Sequence, residues 1–166
     1  MTLREYQEQA ARTCPDLGSL ERNLLHMEVG IFTEMGEILK KNKKWLAYGK
    51  EIDKVHLGEE IADVCWYQVN MDRMQGDIYA EDLQAKLPML CSPVENEVLM
   101  NTLVYFTHSS GSPLQLVYEV CLNFELDFYK LLENNINKLK VRYKDKFTQP
   151  EALSRNLTKE REILEK

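Results

Sequence analysis

Apolar side chains recur every three or four residues through two long segments, and this periodicity constrains the fold more than any other feature. In the first segment these residues are Leu20, Leu24, Met27, Ile31, Met35 and Ile38. In the second they are Leu57, Ile61, Val64 and Met71, with Gln68 at the same spacing. Such spacing lines one face of an α-helix, whereas a strand would alternate every second residue. No strand-like alternation occurs, so we predict an all-α fold, an antiparallel helical bundle.

Capping residues and helix breakers set the predicted helix boundaries. Thr2 with Glu5 forms a capping box, Ser19 can cap the second helix, and Gly76 ends the third. The second helix is predicted to end in the polar residues 40–44. The predicted helices cover about residues 2–13, 20–40, 51–74, 81–87, 95–107 and 113–144, with short helical segments after Thr148 and Thr158.

Length and composition predict one globular domain. The 166 residues are 44% hydrophobic and 29% charged, and only the stretch 79–111 is irregular enough to resemble an insertion. The net charge of −6, with no basic stripe, disfavours binding to duplex nucleic acid. No apolar run approaches the roughly 20 residues of a membrane span, and the N-terminus is polar. We therefore expect a cytoplasmic protein that does not bind membranes.

Two pairs of acidic residues carry the strongest chemical signal. Glu34 and Glu37 are three residues apart on the second predicted helix, as are Glu60 and Asp63 on the third. Residues at that spacing are neighbours on a helix surface, and Glu34 and Glu60 each border an apolar stripe. If the stripes pack together, four carboxylates meet, and a cation such as Mg²⁺ or Mn²⁺ would relieve their repulsion. The residues alone leave open the simpler interpretation that these acids only solvate helix surfaces.

Other polar and aromatic side chains could act around such a cluster. His56 and Tyr67 share a face with Glu60 and Asp63, so we count His56 and Tyr67 as candidates for substrate contact. Aromatic rings such as Trp66 and Tyr67 can stack on a nucleobase, although Trp66 is equally well explained as a core residue.

Lys138 and Arg142 are four residues apart on the last long predicted helix. They could bind phosphate, with Arg142 gripping it through two hydrogen bonds. They could equally form a solvated helix face.

The acidic residues also resemble a known family signature. Glu34-Met35-Gly36-Glu37, a gap of 22 residues, and Glu60-Ile61-Ala62-Asp63 are similar to the ExxE…ExxD pattern of the MazG-like all-α nucleoside triphosphate pyrophosphatases. The segment Asn135-Ile136-Asn137-Lys138-Leu139-Lys140-Val141-Arg142-Tyr143 resembles that family's N-x-x-K-L-x-x-R-Y stretch. The resemblance implies that Glu34, Glu37, Glu60 and Asp63 bind Mg²⁺. It also implies that Asn135, Lys138, Arg142 and Tyr143 contact the substrate.

The resemblance further implies an activity and an assembly. The expected reaction is hydrolysis of a (deoxy)nucleoside triphosphate to the monophosphate and pyrophosphate by water that the metal activates. Glu60 would be catalytic, and Glu59 could orient the attacking water. A homodimer or homotetramer is expected.

Two alternatives have different chemistry. One is a non-catalytic helical module for oligomerisation or interaction. The other is a di-iron carboxylate bundle, which would require two Glu-x-x-His pairs, and this sequence contains none.

Overall fold

A computed structural model of the chain describes residues 1–79, 113–154 and 156–165. Within these ranges the backbone forms α-helices and no strand, which confirms the predicted all-α class. The antiparallel arrangement of the helices in a bundle stays a prediction. The described helices are α1 (Leu3–Ala11), α2 (Leu20–Tyr48), α3 (Lys54–Gln75), α4 (Pro113–Phe124), α5 (Phe128–Arg142), α6 (Gln149–Leu153) and α7 (Leu157–Leu164).

The long helices α2 and α3 pack against each other through their predicted apolar stripes. The side chains of Ile31, Met35 and Ile38 on α2 are buried, as are those of Leu57 and Ile61 on α3. A side-chain oxygen caps each helix: Ser19 accepts a hydrogen bond from the third residue of α2, and Asp53 does the same for α3. The packing holds the acid-bearing turns of the two helices next to each other.

Helix α3 is the central element of the described fold. It contacts α1, α2, α4 and α5, and its buried residues lie on most of its circumference. Tyr6 of α1, Val117 of α4 and Leu132 and Ile136 of α5 complete the core around it. The acids of α3 therefore lie on the most constrained helix of the described chain.

Two predicted helix boundaries are wrong. Helix α2 continues through the lysines at 40–44 to Tyr48 and ends at Gly49, whose φ of 61° reverses the chain. The helix predicted over residues 113–144 is two helices, because Glu125 adopts a φ of 56° and Asp127 caps a new start. Local polarity did not stop α2, since its buried face continues as far as Asn42.

The remaining predicted boundaries lie within three residues of those in the structure where it describes them; α3, for example, begins at Lys54 and not at about residue 51. The capping box of Thr2 and Glu5 is present, Gly76 ends α3 at a φ of 92°, and Thr148 caps α6. The segments predicted at 81–87 and 95–107, and the insertion-like stretch after Tyr79, lie outside the described residues. None of the described helices is long and apolar enough to cross a lipid bilayer.

Candidate functional site

Three of the four predicted metal ligands lie together where α2 meets α3. Glu34 comes from the middle of α2, and Glu60 and Asp63 come from α3, one turn apart. The carboxyl groups of Glu34 and Glu60 share a hydrogen bond, and the charge of Asp63 also acts on Glu34. The α2–α3 packing thus gathers carboxylates that are up to 29 residues apart in sequence.

The pKa of Glu34 is changed by this arrangement. Burial, followed by the charge of Asp63 and the hydrogen bond to Glu60, raises the pKa of Glu34 from its ordinary 4.5 to about 8. At neutral pH this carboxyl group therefore holds a proton in the metal-free protein. A cation at this position would favour the ionised form and displace that proton.

Asp63 is fixed by two residues of α5, both from the segment that resembles the family's N-x-x-K-L-x-x-R-Y stretch. The Lys138 ammonium group donates to both carboxylate oxygens of Asp63 at 2.9 Å, and Asn135 Nδ2 donates to Oδ1 at 2.6 Å. Lys138 is only 1% exposed. Burial alone would lower the pKa of Lys138, but the charges of Asp63 and Glu59 outweigh it and raise the pKa.

A second lysine and a histidine surround the carboxylates of Glu59 and Glu60. Lys41 of α2 donates to Glu60 Oε1 at 2.7 Å. His56 Nδ1 lies 3.4 Å from Glu59 Oε2 and 3.3 Å from Glu60 Oε1. Glu59 also accepts a hydrogen bond from Lys138 at 3.2 Å, so it bridges the lysine and the histidine.

Glu37 does not join the other predicted ligands. Its carboxylate accepts hydrogen bonds from Lys40 on the next turn of α2 at 3.1 Å, and this contact lowers its pKa. It faces a different surface depression, which contains Lys40 and Lys41. In this structure Glu37 therefore lies apart from Glu34, Glu60 and Asp63, and the role of all four as metal ligands stays a prediction.

Arg142 lies near the acids but is already paired. Its guanidinium donates to both carboxylate oxygens of Glu160 on α7, through Nε at 3.0 Å and through Nη2. Burial alone would lower the pKa of Arg142, but the hydrogen bonds and charge of Glu160 outweigh it and raise the pKa. Tyr143, a further predicted substrate residue, is buried beside Phe147, and their ring centroids are 5.5 Å apart.

Two cavities meet at the carboxylates. The aromatic cavity, of about 350 Å³, is lined among others by His26, Trp66, Tyr67, Arg142, Tyr143 and Phe147. The acidic cavity, of about 440 Å³, lies beside α7 and is lined among others by His56, Glu59, Glu60, Leu157 and Glu160. Glu34 and Asp63 line both cavities. An elongated ligand with one flat apolar end and one polar end could therefore pass across these two side chains.

The donor chemistry of the site fits a hard divalent cation, although the neighbouring carboxylates are not arranged around a single point. Among the residues that the structure describes, no three acidic, histidine or cysteine side chains are placed to hold one metal ion together. The ammonium groups of Lys138 and Lys41 lie against Asp63 and Glu60 instead. Carboxylate oxygens are the ligands that Mg²⁺ and Mn²⁺ prefer. Burial, together with the neighbouring charge of Asp63, raises the pKa of Glu34 at this position.

Lys41, Tyr6 and Glu160 contact predicted site residues but were not themselves predicted from the sequence. Lys41 lies seven residues after Glu34, two turns along α2, so helical spacing could have identified it. Tyr6, whose hydroxyl lies 3.0 Å from Asn135 Oδ1, and Glu160 come from the two ends of the chain. No local pattern signals either contact.

No protein-family model matches this chain, and neither a curated protein nor a solved structure is significantly similar to it.

Proposed function

We propose that this chain is a Mg²⁺-dependent nucleoside triphosphate pyrophosphohydrolase, with Mn²⁺ as an alternative ion. It would convert a (deoxy)nucleoside triphosphate into the monophosphate and pyrophosphate. The sequence resemblance to the MazG-like pyrophosphatases supports this proposal, as does the gathering of Glu34, Glu60 and Asp63 between two helices. That resemblance also implies the antiparallel bundle and the homodimer or homotetramer expected above.

One observation carries the proposal: the same two carboxylates border an aromatic cavity and an acidic cavity. A nucleoside triphosphate has a flat base at one end and a polyanion at the other. The rings of Trp66 and Tyr67 offer faces and edges for the base. The phosphates would then extend past Glu34 and Asp63 towards Glu59 and Glu60.

Bound to Glu34, Glu60 and Asp63, Mg²⁺ would neutralise phosphate charge and make water more acidic. Asn135 and Lys138 hold the Asp63 carboxylate in a fixed orientation for this task. Glu59, whose Oε2 lies close to His56 Nδ1, would orient the attacking water and accept its proton. No nucleophilic side chain is required.

Arg142 lines the aromatic cavity and its partner Glu160 lines the acidic one, so Arg142, once released from Glu160, would bind phosphate at the border of the two cavities. In this structure the Glu160 carboxylate occupies both donor positions that a phosphate would use. The substrate phosphate must therefore displace the carboxylate of Glu160, which α7 carries, from Arg142.

One observation favours the non-catalytic alternative, in which the protein serves only as a helical interaction module. Lys138 and Lys41 already neutralise Asp63 and Glu60, so the cluster is satisfied internally to a large degree. If these ion pairs are purely structural, the acids need neither metal nor substrate. An activity assay separates the two functions.

The deciding experiment is pyrophosphate release from a panel of NTPs and dNTPs, with Mg²⁺, with Mn²⁺ and with EDTA. We expect divalent-dependent release of pyrophosphate and monophosphate from at least one nucleotide. Asp63→Asn should reduce kcat by at least about 100-fold, because it removes an anionic ligand and the partner of Lys138.

The matched control is Glu133→Gln, which changes an exposed acid of α5 outside both cavities. It should retain the wild-type rate. Absence of hydrolysis across the whole panel with both metals, or wild-type turnover by folded Asp63→Asn, would contradict the proposed function.

A further inference from the structure

Helix α2 has a second apolar face, about a third of a turn around the helix from the stripe that packs on α3. Leu25, Val29, Phe32 and Leu46 are between 52% and 59% exposed, although each is a large apolar residue. Isolated apolar residues on a protein surface are ordinary, but several in line on one helix mark an interaction surface. This inference concerns a surface and does not rest on the proposed function.

Leu25, Val29, Phe32 and Leu46 fall on a heptad repeat. Their positions belong to a series with steps of four and three along α2, which is Leu25, Val29, Phe32, Gly36, Leu39, Lys43 and Leu46, here named the outer stripe. Within it Leu39 is half-buried and packs against the core of its own chain, and Lys43 is an exposed polar position. It spans three heptads, a length of about 32 Å at the rise of an α-helix. Such a seam is the pattern with which one helix packs lengthwise against another.

Gly36 lies at the centre of the outer stripe. It is exposed, and a Cβ atom added there would meet none of the described atoms within 4 Å. Glycine in a helix interior costs about 1 kcal/mol relative to alanine, and no contact among the residues that the structure describes requires it. At the midpoint of a helix pair, its missing side chain lets two backbones approach closely.

The charges beside the outer stripe differ between its two ends. In the N-terminal half of α2 the exposed acids Glu21 and Glu28 outnumber the one exposed base, Arg22. In the C-terminal half the exposed charges are all basic, and they are Lys40, Lys43 and Lys44. Two copies of α2 in parallel would place the lysines of one copy beside those of the other. In an antiparallel pair centred near Gly36, Lys43 of one copy lies at the level of Glu28 and Val29 of the other, where the charges attract.

We propose that the outer stripe is the interface at which two copies of this chain associate, with their α2 helices antiparallel about a two-fold axis near Gly36. A two-fold axis makes the surface self-complementary, since every contact occurs twice. The apolar residues supply the association free energy, and the charge asymmetry selects the antiparallel direction.

The first test measures the dimer dissociation constant of the full chain by sedimentation equilibrium. Phe32→Asp should raise it by at least about 100-fold, since a charge replaces a central apolar contact in both copies. Leu153→Asp is the matched control: Leu153 is 80% exposed on α6, away from the outer stripe, and its replacement should leave the constant unchanged.

The second test fixes the direction of the pair by charge reversal. Lys43→Glu should weaken an antiparallel dimer about fivefold, because it faces Glu28 of the other copy. In a parallel dimer the same change would relieve repulsion between two lysines and strengthen association. Combining Lys43→Glu with Glu28→Lys should restore the wild-type constant only in the antiparallel pair.

Each outcome bears on the proposal. A wild-type chain that stays monomeric at high micromolar concentration would overturn it, as would Phe32→Asp and Leu153→Asp proteins with equal dissociation constants. Stronger association of Lys43→Glu would overturn the antiparallel direction. If the wild type is a tetramer, Phe32→Asp should reduce it to dimers. Dimerisation without pyrophosphate release would refute the proposed function and leave this inference intact.

Discussion

Replacing Glu34 by glutamine should change how the stability of this protein depends on pH. In the folded protein the pKa of Glu34 is raised to about 8, whereas in the unfolded chain it returns to about 4.5. Between these values the folded state holds one more proton than the unfolded state, so the free energy of unfolding falls as pH rises. The stabilisation associated with the neutral carboxyl is complete below about pH 4.5 and lost by about pH 8.

The size of the effect follows from the same pKa values. A rise from 4.5 to about 8 means that ionising Glu34 costs about 5 kcal/mol more free energy in the folded protein than in the unfolded chain. Because the Glu34 side chain is only partly buried, solvent screening reduces this to about 2 kcal/mol. Glutamine resembles the protonated acid and cannot ionise. Glu34→Gln should therefore match the wild type near about pH 5 and exceed its stability by about 2 kcal/mol near about pH 9.

The assay is urea unfolding of both proteins in EDTA at these two pH values, with Glu133→Gln as the exposed control that follows the wild type at both. Adding Mg²⁺ near about pH 9 should stabilise the wild type more than Glu34→Gln, because the variant lacks one of the three carboxylates that would bind the ion. Identical pH dependence of Glu34→Gln and wild type would refute the argument that burial and Asp63 hold Glu34 neutral.

Two further changes test the scaffold around the site. Lys138→Met should lower the free energy of unfolding by about 3 kcal/mol, since it leaves Asp63 and Glu59 without their buried cation. Lys140→Met, at an exposed position of the same helix, should lower it by less than about 0.5 kcal/mol. Equal losses for the two variants in urea unfolding would contradict the pairing. Gly30→Ala should cost about 2 kcal/mol and alter the near-ultraviolet circular dichroism, because the new methyl group overlaps the Tyr67 ring, and an unchanged spectrum would argue against that contact.

The helix content of this protein was predictable because its signals are local. A capping box needs only Thr2 and Glu5, and a buried helix face needs only apolar residues at the right period. Prediction failed where a local signal competed with a distant contact. The lysines at 40–44 indicated the end of α2, but the burial of Asn42 and the ion pair of Lys41 with Glu60 continue the helix. The break at Glu125 has no comparable signal.

By itself the sequence determined which residues could share a helix face, so it paired Glu60 with Asp63 and Glu34 with Glu37. Only the tertiary structure decided which acids meet, because that depends on how α2 and α3 pack against each other. Glu34 lies at their junction and becomes a weak acid, whereas Glu37, one turn further, stays an exposed partner of Lys40. Likewise Lys138 pairs with Asp63, and Glu160 pairs with Arg142. Each contact joins different helices, so helical periodicity does not predict it.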